Sequence, residues 1–342
     1  MDMKAYLDRV LDGVDLTEAE AREVLRGLMQ PDLSPAVAGA MLAALRGKGV
    51  TAAELRGLAT AMRSLARRPE MPAGINAIDI VGTGGDGSHS FNISTGTALL
   101  VAACGVPVVK HGNRSVSSRS GSADVLEQLG LPLPLDERAA VECLRATGFT
   151  FLFAPYFHPA MKALAAVRQA LGVRTVFNIL GPLTNPAMPP YQMIGAYSAE
   201  VAGLMANALA GMPIHRAFVL YGAEGWDEPT PLGPFTLYDV QPDKVTISVR
   251  TPASYGLATC RPEALAGGDA AANAQALRAV LRGEDQGPHR DALLMGAALA
   301  LELTGAVTSP LEGIERANRA ITDGTADRLL EALASFGAQV GR

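Results

Sequence analysis

Residues Asp79 to Gly130 read DIVGTGGDGSHSFNISTGTALLVAACGVPVVKHGNRSVSSRSGSADVLEQLG. The apolar run at its start, Ala77-Ile78-Asp79-Ile80-Val81, reads as a buried strand. Gly82-Thr83-Gly84-Gly85-Asp86-Gly87 follows at once, and Ser90-Phe91-Asn92-Ile93-Ser94-Thr95 leads into an apolar helix from Gly96 to Ala103. A strand, a glycine-rich turn and a helix start together present backbone N–H groups to an anion. The glycines remove the Cβ atoms that would hold a phosphate off, and the helix N-terminus adds a favourable dipole. A second strand, Pro107-Val108-Val109, ends in Lys110-His111-Gly112-Asn113-Arg114. The hydroxyl cluster Ser115, Ser117, Ser118, Ser120 and Ser122 comes next, then a helix from Ala123 to Leu129 closed by Gly130. Two successive strand ends thus carry anion-binding chemistry, as where ligands sit at the carboxyl ends of strands in an α/β sheet. The turn has the spacing of neither the Walker loop nor the dinucleotide fingerprint, and a lone glycine turn also serves as a plain connection. The second, basic and hydroxyl-rich loop favours phosphate binding.

Outward from this stretch, residues 1 to about 70 read as helix throughout. Thr17-Glu18-Ala19-Glu20 and Thr51-Ala52-Ala53-Glu54 both fit the capping box, and Ser34-Pro35 is an N-cap followed by proline. Alanine, leucine and valine recur at helical spacing, giving apolar faces that need a partner. Arg67 to Gly74 is the first linker, polar with proline and glycine. Past Gly130 the pattern gives a helix Asp136 to Thr147, a strand Phe149 to Ala154, and a helix His158 to Leu171 with Gly172 beyond its end. A hinge-like loop, Gly181 to Pro186, precedes strands Gln192 to Tyr197 and Arg216 to Tyr221, which flank a helix Ala199 to Ala210. From Asp269 onward the pattern is largely helical. Strands alternating with helices indicate an α/β class: a small all-helical domain, residues 1–72, plus a large domain, residues 73–342, with a mostly parallel sheet flanked by helices.

Composition narrows the function. Hydrophobic residues are 49% and charged residues 18% of 342, which fits a chain with a substantial buried core. A net charge of −5 gives no global field for nucleic acid or an anionic membrane, so a polyanionic substrate must be held by local positive groups. Cys104, Cys143 and Cys260 are scattered without metal-ligand spacing and point to a reducing compartment. No signal-peptide core and no apolar run of membrane-spanning length is present, so a cytoplasmic location is expected. There is no HExxH, CxxC or GxSxG, and His89, His215 and His289 show no ligand spacing.

GTGGD, the NIST run and KHGNRSVSS, followed by HPAMK, VRQALGVRTVFNILGPLTNP and GGDAAANAQALRAVLRG, resemble the anthranilate phosphoribosyltransferase family over nearly the whole chain. The resemblance implies 5-phosphoribosyl 1-pyrophosphate (PRPP) and anthranilate as substrates. It also implies a helical domain completed by mid-chain helices around residues 160–190, which makes a homodimer. Around PRPP it places Gly82, Gly85, Asp86, Ser90, Asn92, Ile93, Ser94 and Thr95, with Lys110, His111, Gly112, Asn113, Arg114, Ser115, Val116, Ser117, Ser118 and Ser122. Ser90 stands where the family more often has threonine, which keeps the hydroxyl. Near anthranilate it places Gly82, His111, Asn113, His158, Arg168, Gly181 and Pro182; an arginine fork suits a benzoate carboxylate.

Adjacent carboxylates such as Asp227-Glu228 are usually solvated charges. A pyrophosphate leaving group nevertheless needs neutralisation, and Mg²⁺ is held through one or two carboxylates plus substrate oxygens. The resemblance makes Asp227 and Glu228 one Mg²⁺ site and Ser94 a ligand of a second. Trp226 and Pro229 beside the pair are atypical of it. If His158 and Arg168 share one continuous helix they lie ~15 Å apart along it, so they line different depths of a channel or one of them is structural. No general base stands out. Two rival functions are a pyrimidine nucleoside phosphorylase and a non-catalytic nucleic-acid-binding relative.

Overall fold

Reciprocal capping opens the chain. Thr17 with Glu20, and Thr51 with Glu54, exchange side-chain and backbone bonds at the starts of their helices, satisfying donors that have no partner within the helix. Ser34 precedes Pro35 in the same role, but its hydroxyl makes no cap bond. The computed structural model describes residues 2–115 and 119–340, so the expected PRPP contacts Val116, Ser117 and Ser118 lie outside the described residues.

Four helices come first: α1 (Met3–Leu11), α2 (Glu18–Leu28), α3 (Pro35–Lys48) and α4 (Ala52–Ser64). Then β1 (Ile78–Gly82), α5 (Ile93–Ala103), β2 (Val108–Gly112), α6 (Ser122–Gln128), α7 (Glu137–Thr147) and β3 (Phe149–Phe153) build one half of a sheet. After α8 (Ala154–Phe157), α9 (Lys162–Leu171) and α10 (Phe177–Leu180), the chain returns to β1 as β4 (Tyr191–Gly195). It continues through α11 (Ala199–Ala210) to β5 (Arg216–Tyr221). An antiparallel extension, β6 (Phe235–Gln241) and β7 (Lys244–Arg250), precedes the closing helices α12 (Ala270–Leu281), α13 (Pro288–Leu303), α14 (Pro310–Thr322) and α15 (Thr325–Val340). Among the described residues no helix is long and apolar enough to cross a membrane.

The strand order is β3-β2-β1-β4-β5-β6-β7, parallel from β3 to β5. The winding reverses between β1 and β4, and α5 and α11 leave their carboxyl ends to cover opposite faces. A crevice at such a reversal is where open α/β sheets bind ligands. One face is covered by α5 and α12 to α15 around Leu99, Leu293 and Leu299. On the other face α11 packs against β5 and β6, and α1 to α4 share one core with it through α4, together with Leu164, Val176, Phe177, Ile179, Leu180 and Leu183 of the mid-chain segment.

Four local expectations change. Lys110 and His111 belong to β2 rather than to the loop after it, because they pair with Phe151 and Leu152 of β3. The segment His158 to Leu171 is broken: His158 ends α8, a 3₁₀ turn spans Pro159–Met161, and α9 starts afresh at Lys162. Pro159 has no N–H for α8 to continue on. Gly181 to Pro186 is not an open hinge but a 3₁₀ turn, Gly181–Leu183, with Pro182, Thr184 and Asn185 buried behind it. Strands β6 and β7 were not anticipated, although Phe235 and Leu237 alternate with polar residues as a half-buried strand should.

Candidate active site

The glycine turn after β1 has the open backbone its composition implies. Gly84, Gly85 and Gly87 take φ of 67°, 73° and 75°, and a Cβ at any of them would point into open space. The opposite constraint holds one turn away, where a Cβ on Gly195, at the end of β4, would stand 1.5 Å from the Asp227 carbonyl oxygen. Glycine at the ends of two neighbouring strands therefore lets the Asp227-Glu228 loop press into the crevice. Trp226, 5% exposed, packs into the core, and its carbonyl accepts the Gly222 N–H at 2.8 Å, which anchors that loop.

The carboxylates reach the backbone donors of the glycine turn and of α5. Asp227 Oδ2 accepts the Gly84 N–H at 2.6 Å, and Glu228 Oε1 accepts the Ser94 N–H at 3.1 Å in the first turn of α5. Asp86 Oδ2 accepts the Asp227 N–H at 3.3 Å, and its other oxygen accepts the Ser88 N–H and hydroxyl. Burial, then the charge of Asp86, pushes the Asp227 carboxyl upward; burial, then the charge of Asp227, does the same to Glu228. The cation facing them is Lys110, 1% exposed, whose Nζ donates to the Ile80 carbonyl and, at 3.4 Å, to Ser94 Oγ. Burial lowers the Lys110 pKa, and the charges of Asp79, Glu228 and Asp227 oppose that shift. Asp227 and Glu228 set carboxylate oxygens beside Lys110 in the crevice, and oxygen donors of that kind suit a hard divalent cation. Among the described residues no group of three or more His, Cys, Asp or Glu side chains is arranged to hold an ion alone, so further oxygens must come from a bound molecule.

Asn92 is fixed by a residue whose role no local pattern in the sequence reveals. Asn273, in the GGDAAAN stretch, donates Nδ2 to Asn92 Oδ1 at 2.8 Å and accepts the Gly268 N–H at 2.7 Å, while Asn92 Nδ2 donates to the Ser120 carbonyl. Ser90 bridges to Ala266 on the same side. Arg114 turns away, paired with Asp124 and Glu127 of α6. Ser115 donates its N–H to Asp124, and Ser122 opens α6.

Successive residues of a strand face opposite ways, so Lys110 serves the crevice and His111 a second cavity of about 330 Å³. His111, Asn113, His158, Arg168 and Gly181 all line it, whereas Gly82 stands beside Asp227 and Pro182 is buried behind the wall. The break before α9 is what brings His158 and Arg168 to one space. Met62, Lys162, Phe177 and Thr184 also line it, which no local pattern in the sequence indicates. The His111 and His158 rings meet edge to face at 5.1 Å. The Arg168 guanidinium lies over Phe177 at 5.2 Å and, among the described residues, has no carboxylate partner. Among the described residues, no acidic one lines the cavity.

Burial drives the His158 pKa down to about 4, and burial followed by the His158 ring drives that of His111 well below the ordinary imidazole value; both are neutral at pH 7. Among the described residues, neither nitrogen of His158 nor Nε2 of His111 has a partner at ordinary hydrogen-bond geometry. The backbone at Thr184 and Gly181 offsets the two shifts only in part. A depressed folded-state pKa means that the unfolded chain binds the proton first. Stability therefore rises with pH between about 4 and the unfolded value near 6.5, by roughly 3 kcal/mol at full titration for His158. Replacing His158 with Asn is expected to flatten chemical-denaturation stability across that window relative to the wild type; an unchanged slope refutes this account.

The glycosyl transferase family a/b domain model matches residues 74–327, and the glycosyl transferase family helical bundle domain model matches residues 4–66. The anthranilate phosphoribosyltransferase of Desulforamulus reducens is 44% identical over 330 residues, covering 96% of this chain and 95% of its own length. The chain belongs to the anthranilate phosphoribosyltransferase family. Among solved members of that family, the Thermus thermophilus enzyme superposes with a TM-score of 0.91 at 42% identity, covering 99% of this chain and 100% of that one. The Saccharomyces cerevisiae enzyme, in complex with PRPP and Mg, superposes at 0.89 with 28% identity over 98% of each chain. Its complex with 4-fluoroanthranilate superposes at 0.88 with 28% identity and the same coverage.

Proposed function

We propose that this chain transfers the 5-phosphoribosyl group of PRPP to the amine of anthranilate, giving N-(5-phosphoribosyl)anthranilate and pyrophosphate in tryptophan biosynthesis. The observation that carries this reading is the back-to-back placement of Lys110 and His111 on β2. One faces a phosphate-type crevice, the other a cation-bearing apolar cavity with no acidic residue among the described ones. The relatives favour it over pyrimidine nucleoside phosphorolysis and over a non-catalytic nucleic-acid-binding role.

PRPP lies along the glycine turn and the start of α5, from Gly82 to Thr95, and along Lys110 to Ser122. Anthranilate takes the cavity, its carboxylate toward Arg168 and its ring between Phe177 and the neutral His111–His158 pair. Asp227 and Glu228 would hold one Mg²⁺, and Ser94 would be a ligand of a second. Bound Mg²⁺ supplies charge neutralisation for the departing pyrophosphate. For the donor to enter, Asp227 and Glu228 release the Gly84 and Ser94 N–H groups, which then face phosphate oxygens. The bond from C1 to pyrophosphate breaks well ahead of amine attack, so the centre is oxocarbenium-like and needs no strong nucleophile. The protein's contribution is alignment of two substrates and N–H and ammonium groups aimed at the leaving charge. Neutral imidazoles leave the amine unprotonated and uncharged next to that centre.

The chain divides near residues 72 and 73 in this reading, with the mid-chain helices belonging to the helical part. Leu11 and Val14, 64% and 45% exposed on that part, support a homodimer through it, for which sedimentation equilibrium at twice the chain mass is the test. The free cysteines fit a cytoplasmic location. The reaction itself is tested by pyrophosphate release from PRPP with Mg²⁺, with and without anthranilate. Release that depends on anthranilate is expected; none from folded protein sinks the reading.

A further inference from the structure

The crevice and the cavity share a buried polar clasp that neither uses directly. Asp79, the second residue of β1, is 0% exposed, as is Asn185, just past the Gly181–Leu183 turn. Asp79 Oδ1 accepts the backbone N–H of His111 at 3.1 Å, and Oδ2 accepts Asn185 Nδ2 at 2.9 Å. The same Asn185 nitrogen donates to the Val109 carbonyl at 2.9 Å, and its Oδ1 accepts the Ala187 N–H at 2.9 Å. At the same end of the turn Arg63, 3% exposed at the end of α4, donates Nε to the Leu183 carbonyl at 2.8 Å. Three elements that are remote in sequence are therefore tied at fixed distances: β1, β2 and the turn whose Gly181 and Thr184 line the cavity.

A carboxylate here is costly. Ile78 and Ile80 occupy the neighbouring positions of β1, and an apolar residue at 79 would avoid burying a charge. What the pair provides is location. The β2 backbone at His111 is held from β1, and the far wall of the cavity is held to β2 through Asn185. Because Lys110 and His111 are consecutive, a slip of this backbone displaces a group of the crevice and a group of the cavity at once, each relative to the rest of its site. We propose that Asp79 and Asn185 are positioning residues for the transfer reaction, setting the alignment of the acceptor cavity with the PRPP crevice while touching neither substrate.

This inference rests on the proposed transfer reaction. Alignment acts on the reacting geometry rather than on affinity, and a displacement of about 1 Å can cost 10²-fold in rate. In the full chain, Asp79→Asn and Asn185→Ala are each expected to lower kcat for anthranilate-dependent pyrophosphate release ~10- to 100-fold while KM for both substrates stays within about three-fold. The double variant is expected to be no slower than the worse single one within about three-fold, because both break one unit. Asp79→Asn keeps the side-chain size but sets an amide donor against either the His111 N–H or Asn185 Nδ2, so it breaks one arm of the clasp and, where it folds, carries the test alone if Asn185→Ala does not fold. An unchanged kcat in folded Asp79→Asn, or a loss expressed only in KM, overturns the proposal. Histidine-ring NMR of His111 provides a readout without substrates, expected to shift in Asp79→Asn and overturning the clasp if it does not. Failure of the transfer reading is separate: it shows as absent release in the wild type, and the ring signal then decides the clasp.

Discussion

Asp227→Asn is expected to lower the rate of anthranilate-dependent pyrophosphate release ~10²- to 10³-fold, the scale seen when one element of transition-state charge stabilisation is removed. The same variant should unfold at a temperature no lower than the wild type. The two halves of this expectation come from one fact. Asp227 is 7% exposed, sits against Asp86 and Glu228, and has its carboxyl pushed up by burial and by Asp86. Removing a charge from such a cluster relieves repulsion, and the amide oxygen of Asn still accepts the Gly84 N–H. A function-bearing site that works against stability behaves in this way. Glu228→Gln should repeat the pattern with the Ser94 N–H as its retained bond. The metal dependence discriminates further: half-maximal release should need more Mg²⁺ in either variant. A release rate within about three-fold of the wild type at all Mg²⁺ concentrations would show that the pair is only structural.

The contrast between what the sequence makes legible and what it hides follows chain distance. The glycine turn and both capping boxes are local patterns that local rules read correctly, whereas the Lys110-to-Arg114 run starts inside β2 rather than after it. Asp79 is visible as a charge inside an apolar strand, yet its partner Asn185 lies 106 positions away and no periodicity announces the bond. Asn273 reaches Asn92 over 181 positions in the same manner. Met62, from the helical layer, enters the cavity only because α4 packs beside the mid-chain turn. The geometric puzzle over His158 and Arg168 holds only for an unbroken helix. By its spacing Pro159 reads as a residue near a helix start, whereas it ends one helix, and a 3₁₀ turn leads into the next. Strand β7 gives a weak signal for a physical reason, because Ile247 and Val249 are 62% and 68% exposed at the sheet edge. Its alternation therefore does not separate a core face from a solvent face.

Arg168 carries the second large effect, and it concerns which acceptor is chosen. Its guanidinium is half-buried, its pKa is lowered by burial, and it has no carboxylate partner among the described residues. An unpaired cation at the wall of an apolar cavity is stabilised by an anionic ligand and by little else present there. Arg168→Gln is accordingly expected to raise KM for anthranilate ~10- to 100-fold, the range of a lost charge-assisted hydrogen bond, while KM for PRPP stays within about three-fold. Arg168→Lys should fall between, since an ammonium keeps the charge and loses the two-pronged fit to a carboxylate. Aniline separates charge recognition from ring packing because it has the amine and the ring but no carboxylate. The wild type should use it far less well than anthranilate, and Arg168→Gln should lose most of that preference. If the variant still prefers anthranilate as strongly as the wild type does, the carboxylate is held elsewhere. Lys162, the other cation on the cavity wall, is then the residue to replace.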